Sequence, residues 1–120
     1  LTLYQRMLAA WLAPSRHRAE QVEQVLLLAS ELAEAKEGME PVLTLLRIFL
    51  KNAMAARTDP RATTFAPEVL QARERWNLPR LSAKMAAIDL AEQALARNCN
   101  RGLTSEVLLL DLFDCCPPLA

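Results

Sequence analysis

Few side chains in this 120-residue sequence are equipped for covalent or metal chemistry. His17 is its single histidine, and its cysteines are Cys99, Cys115 and Cys116. These four match a zinc site in number, but their spacing fits no structural zinc pattern. A cysteine nucleophile needs an adjacent general base, and none accompanies any of the three in sequence. One histidine also excludes a di-iron bundle built from paired Glu-x-x-His motifs. Gly38 and Gly102 are the only glycines, so there is neither a GxxxxGK[ST] phosphate loop nor a GxGxxG fingerprint. Met7, Met39, Met54 and Met85 fall at positions that suit core filling. No catalytic residue, cofactor or metal is expected, and the chain is not expected to be an enzyme.

What remains is the chemistry of shape and association. Hydrophobic residues make up 52% of the chain, at the upper edge for a soluble domain, and a partner surface is one place for the excess. Lys plus Arg and Asp plus Glu number 14 each, a balance that leaves no electrostatic footprint for nucleic acid or an anionic membrane. No apolar run approaches the ~18 residues of a membrane span, and no signal-peptide pattern opens the chain. An odd cysteine count without framework spacing points to reduced thiols and a cytoplasmic setting. A strained vicinal disulfide between Cys115 and Cys116 is the alternative. The sequence begins at Leu1 rather than Met, as expected of a piece of a longer polypeptide.

Two glycines and few β-branched residues favour helix nearly throughout. The pattern predicts an all-α single bundle of five to six helices spanning residues 1–120. A first helix over 2–13 carries Tyr4, Leu8, Trp11 and Leu12 on one side and stops at Pro14. Ser15 is an N-cap for a second, 16–36, whose apolar stripe is Ala19, Val22, Val25, Leu26, Ala29, Leu32 and Ala33, with Leu27 and Leu28 outside it. Gly38 is a natural stop. Pro41 opens a third helix, to about Arg57, with Val42, Leu45, Leu46, Phe49, Leu50 and Ala53 facing the core and Thr44, Arg47 and Lys51 opposite; Ile48 departs from the pattern. Arg47 and Lys51 read as a solvated face, with a phosphate or partner contact as the rarer alternative. After a loop from Thr58, a short helix covers Pro67 to Trp76. A strong amphipathic helix then runs from Pro79 or Arg80 to Arg97, with Leu81, Met85, Ile88, Ala91 and Leu95 inward. Glu92 shares that face, and a buried carboxylate needs a partner; its expected place is the edge, reaching water, with a hinge point linked to an arginine or to the asparagine pair as the alternative.

The stretch from Arg97 to Phe113 organises the rest. Asn98 and Asn100 are suited to a left-handed backbone and to helix capping, Gly102 to close backbone approach, and Glu106 to the first turn of a last helix. At about 100° per residue, Leu108, Leu112, Leu109, Phe113 and Leu110 cover an arc of roughly 200°, about twice what one core needs. This helix is expected to pack on two sides. Leu109 and Phe113 would face the domain's own core, with Leu108 and Leu112 on one outer flank and Leu103 and Leu110 on the other.

Asn98-x-Asn100-x-x-Leu103-x-x-Glu106-x-Leu108-Leu109-Leu110-x-Leu112 resembles the C-terminal signature of the delta-prime subunit of the bacterial DNA polymerase III clamp loader. Leu78-Pro79-Arg80-Leu81 and Leu46-Arg47-Ile48-Phe49-Leu50-Lys51-Asn52 sit where that family has similar text. Thr104-Ser105 departs from it, replacing more apolar residues. The resemblance implies a collar domain that follows an ATPase-like module and packs side by side with other clamp-loader subunits, so that ATP-driven motion elsewhere opens the sliding clamp. Leu103, Leu108, Leu110 and Leu112 would be the inter-subunit residues, with neither DNA nor membrane contacted by this domain. A free-standing adaptor for a partner helix, or the collar of another clamp-loader subunit, are the competing readings.

Overall fold

The computed structural model describes residues 2–13, 17–59, 61 and 64–114, which form six α-helices and, among the described residues, no strand. They are α1 (Thr2–Leu12), α2 (Arg18–Ala33), α3 (Glu40–Thr58), α4 (Pro67–Arg75), α5 (Leu78–Ala96) and α6 (Arg101–Leu112). The chain is an all-α bundle. Proline marks three of the starts: Pro41, Pro67 and Pro79 each lie at the first or second helical position, where a missing N–H costs nothing. Asn77 opens α5 more firmly than a simple breaker would, because its side-chain oxygen accepts the Arg80 amide at 3.0 Å. The expected Pro14 stop and Ser15 cap lie outside the described residues. His17 takes the N-cap position of α2, which ends at Ala33 rather than running to Lys36. Gly38 then adopts φ +89 in the link to α3, a conformation that suits a residue without Cβ.

α2 packs on α6, α6 on α5, α5 on α3 and α3 on α4, while α1 rests more lightly against α2, α3 and α4. The buried face of α2 is Val25, Leu28, Ala29 and Leu32. Leu26, expected inside, is exposed, and Leu28, expected outside, is buried. The buried set is the i, i+3, i+4, i+7 face counted from Val25, with Ala29 at the crossing with α6, where its carbonyl accepts from Ser105. On α3, Val42, Leu46, Phe49, Leu50 and Ala53 are buried as the periodicity predicts, joined by Leu43 and Ala56; Ile48 is exposed. Arg47 is not a free cation on a solvated face. Half-buried between α3 and α5, it pairs with Asp89 at 2.6 Å and with Glu92. Glu92 therefore meets its partner at the edge of the core while keeping contact with water.

Four of the six aromatic residues meet at one hub. Trp11 has Trp76, Phe49 and Phe113 around it at centroid distances of 5.0, 5.7 and 6.2 Å. Rings of this size each contribute on the order of 1.5–3 kcal/mol by leaving water, with tilted pairs adding ~1 kcal/mol. Arg75 covers Trp76 from outside, its guanidinium 5.2 Å from the ring. It also donates to carbonyls at the end of α1, Trp11 O at 3.0 Å and, one residue past the helix, Ala13 O at 3.2 Å. This links the end of α4 to the end of α1 and satisfies carbonyls that a helix terminus leaves unpaired.

Candidate functional site

The corner between α5 and α6 is built by the two asparagines, with a separate task for each. α5 ends in a paired-turn closure: the Asn98 amide donates to Leu95 O at 3.0 Å and the Cys99 amide to Ala94 O at 2.9 Å. This is the double bond pattern of a left-handed helix terminus. Asn98 carries the left-handed step, φ 57, which asparagine tolerates better than other side chains that carry a Cβ. Asn100 then starts α6, its side-chain oxygen accepting the Leu103 amide at 2.9 Å. A Cβ at Gly102 would stand 3.3 Å from that same oxygen, so the glycine leaves the cap its room. Since α6 begins at Arg101, Glu106 falls in the second turn and is exposed. Its expected place in the first turn, and the dipole role attached to it, are corrected accordingly.

Ser105 sets the rotation of α6. It is fully buried, with its hydroxyl 2.9 Å from both Ala29 O on α2 and Gly102 O. Ser105 opposite Ala29 brings two small side chains to the crossing, so the helices approach closely there. The buried face of α6 is Ser105, Leu108, Leu109 and Leu112, an arc of roughly 100° at about 100° per residue. Leu108 and Leu112, expected on an outer flank, are thus in the chain's own core beside Leu109. Leu109 and Phe113 face the chain's own core as expected: Leu109 is fully buried, and Phe113, the C-cap of α6, packs on Trp11.

The far side of α6 is the surface of interest. Leu103 and Leu110 point roughly opposite the centre of the buried arc, with Val107 beside them. Leu103 is 61% exposed, Val107 53%, and Leu90 on the adjoining face of α5 64%; Leu110 is half-buried. Between α5 and α6 runs an open groove of about 270 Å³, floored by Ala87, Ala91 and Ala94 and lipped by Leu90, Leu103 and Val107. Cys99 sits at one end and Asp111 along its side, so the apolar strip has a polar boundary. Cys99 is exposed and unbridged; Cys115 and Cys116 lie outside the described residues. Among the described residues no three His, Cys, Asp or Glu side chains cluster to hold a metal ion, and no helix is long and apolar enough to cross a membrane.

The C-terminal end of α6 is held by side chains from three other helices. Trp11 Nε1 donates to Leu112 O at 2.7 Å, Lys84 Nζ to the same oxygen at 3.0 Å, and Gln21 Nε2 to Phe113 O at 3.1 Å. Lys84 is 3% exposed. Its ammonium also meets both carboxylate oxygens of Asp114 at 3.0 Å and lies over the Trp76 and Trp11 rings at 5.0 and 5.9 Å. A cation at a helix C-terminus is favourably placed, and indole faces attract it. Burial nonetheless outweighs Asp114 and lowers the Lys84 pKa from its ordinary value, with Arg80 and Arg75 pushing the same way. An ammonium held by a carbonyl, a carboxylate and two rings is a structural group rather than a poised nucleophile.

The sequence pattern brought Asn98, Asn100 and Leu103 to the right corner, but it missed Leu90, Val107, Ser105 and Lys84. Leu90 carried a signal, as a leucine off the inward face of α5. Val107 was hidden between Glu106 and the leucine run. Comparison of the chain with family models, curated proteins and solved structures finds no match.

Proposed function

We propose that this chain is an assembly domain that docks a helical neighbour on the outer face of α5 and α6. The observation that carries the reading is the continuous exposed strip Leu90, Leu103 and Val107 along an alanine-floored groove. Isolated exposed leucines are ordinary, whereas here three exposed apolar side chains line one groove between two helices. Alanines on the floor let a partner helix approach closely, and leucines on the lips grip it in the helix-in-groove manner. The resemblance of residues 98–112 to the delta-prime signature names the neighbour: the collar domain of another clamp-loader subunit, in service of sliding-clamp loading during DNA replication. The capping work of Asn98 and Asn100 and the outward Leu103 support that reading. Leu108 and Leu112 are removed from the inter-subunit set, while Leu103 and Leu110 stay in it, joined by Leu90 and Val107.

The test is co-purification of the chain, and of its Leu90→Lys and Val107→Lys variants, with clamp-loader subunits. Association with those subunits that both variants weaken, at unchanged melting temperature, is the expected result. Absence of association by the unaltered chain rejects the clamp-loader assignment. A partner that both variants retain rejects the groove. A partner outside replication that is lost on Leu90→Lys favours the adaptor reading, which shares the groove geometry.

A further inference from the structure

We draw no further inference here: the strongest candidate, the apolar groove between α5 and α6 lipped by Leu90, Leu103 and Val107, belongs to the surface already described, and nothing in the structure shows what covers it beyond that reading.

Discussion

Two neighbouring residues of α6 should answer the same substitution in opposite ways. Val107 is 53% exposed on the groove, and Leu108 is 2% exposed in the core. Lysine at 107 keeps its ammonium in water, one helical turn from Asp111, and removes a β-branched residue from a helix interior. Its effect on stability should stay within about 0.5 kcal/mol. Lysine at 108 places a charge at a position that is buried beside Leu109 and Leu112. An unpaired buried charge costs several kcal/mol, against a total stability for such domains of ~5–15 kcal/mol. The milder Leu108→Ala removes the same contacts without the charge and should cost roughly 2–5 kcal/mol. At about 4 °C per kcal/mol, that is a fall in Tm of roughly 8–20 °C. Thermal denaturation followed by circular dichroism reads all three variants. The expected order is Val107→Lys close to the parent, Leu108→Ala well below it, and Leu108→Lys unfolded or nearly so. If Val107→Lys melts as early as Leu108→Ala, the outer face of α6 is part of the core and the docking surface does not exist.

Other expectations follow from single side chains. Asn100→Ala should cost about 1 kcal/mol by removing the cap on Leu103, whereas Asn98→Gly should be neutral or slightly stabilising because glycine accepts the left-handed step at no cost; chemical denaturation midpoints compare the two, and an equal loss at both would reject the division of roles. Ser105→Leu should overpack the α2–α6 crossing by roughly 1–3 kcal/mol or more, while Ser105→Ala should cost less; equal tolerance of both in urea melts would mean that the crossing is loose. Lys84 predicts a pH dependence: its pKa is lowered in the folded chain relative to the ordinary 10.5, so the unfolded chain binds more protons in the window just below 10.5. Stability should therefore rise with pH across that window and stop changing below the folded value. Urea midpoints measured over this range should show the rise in the parent and lose it in Lys84→Met; a parent whose stability falls instead would mean that Asp114, not burial, dominates at Lys84.

Helices and their punctuation were readable because proline, asparagine and glycine act locally: Pro41, Pro67, Asn98 and Asn100 do in the fold what their backbone chemistry dictates. On α6 the periodicity turned Leu109 inward but put Leu108 and Leu112 on an outer flank, because an apolar arc of about 200° does not say where its buried part ends. The deciding residue was Ser105, a small polar side chain whose hydroxyl is satisfied by a carbonyl 76 positions away. The same limit hid Lys84. A lysine among Leu81, Ile88 and Ala91 reads as an edge residue until a helix end and two indoles are known to face it. Leu26 and Leu28 exchanged places for a related reason, since only the neighbour on α6 fixes which leucine of three turns in. Glu92 shows the opposite case: an arginine was one of two expected partners, but nothing local says that it is Arg47, 45 positions earlier.

The triple hold on the end of α6 has a consequence for how the chain comes to be folded in time. Trp11 and the carbonyl that receives its N–H are separated by 101 positions, and Gln21 and its acceptor by 92. During synthesis, which runs at about 5–20 residues per second, the indole at the start of the chain therefore waits several seconds for residue 112. Through that interval Trp11 has Trp76 and Phe49 available as they emerge, but its polar edge faces an unfinished site. The hydrogen bonds from α1 and α2 to the end of α6 can therefore form only after residues 112 and 113 have been made. A ribosome-stalled chain ending before Leu108 would still have α2, α3 and α4 for α1 to rest on, with Trp76 and Phe49 beside Trp11, but its indole N–H would lack the Leu112 carbonyl. The same separation makes the contact slow to find for a chain refolding in free solution, because loop-closure entropy is met before any long-range contact offsets it.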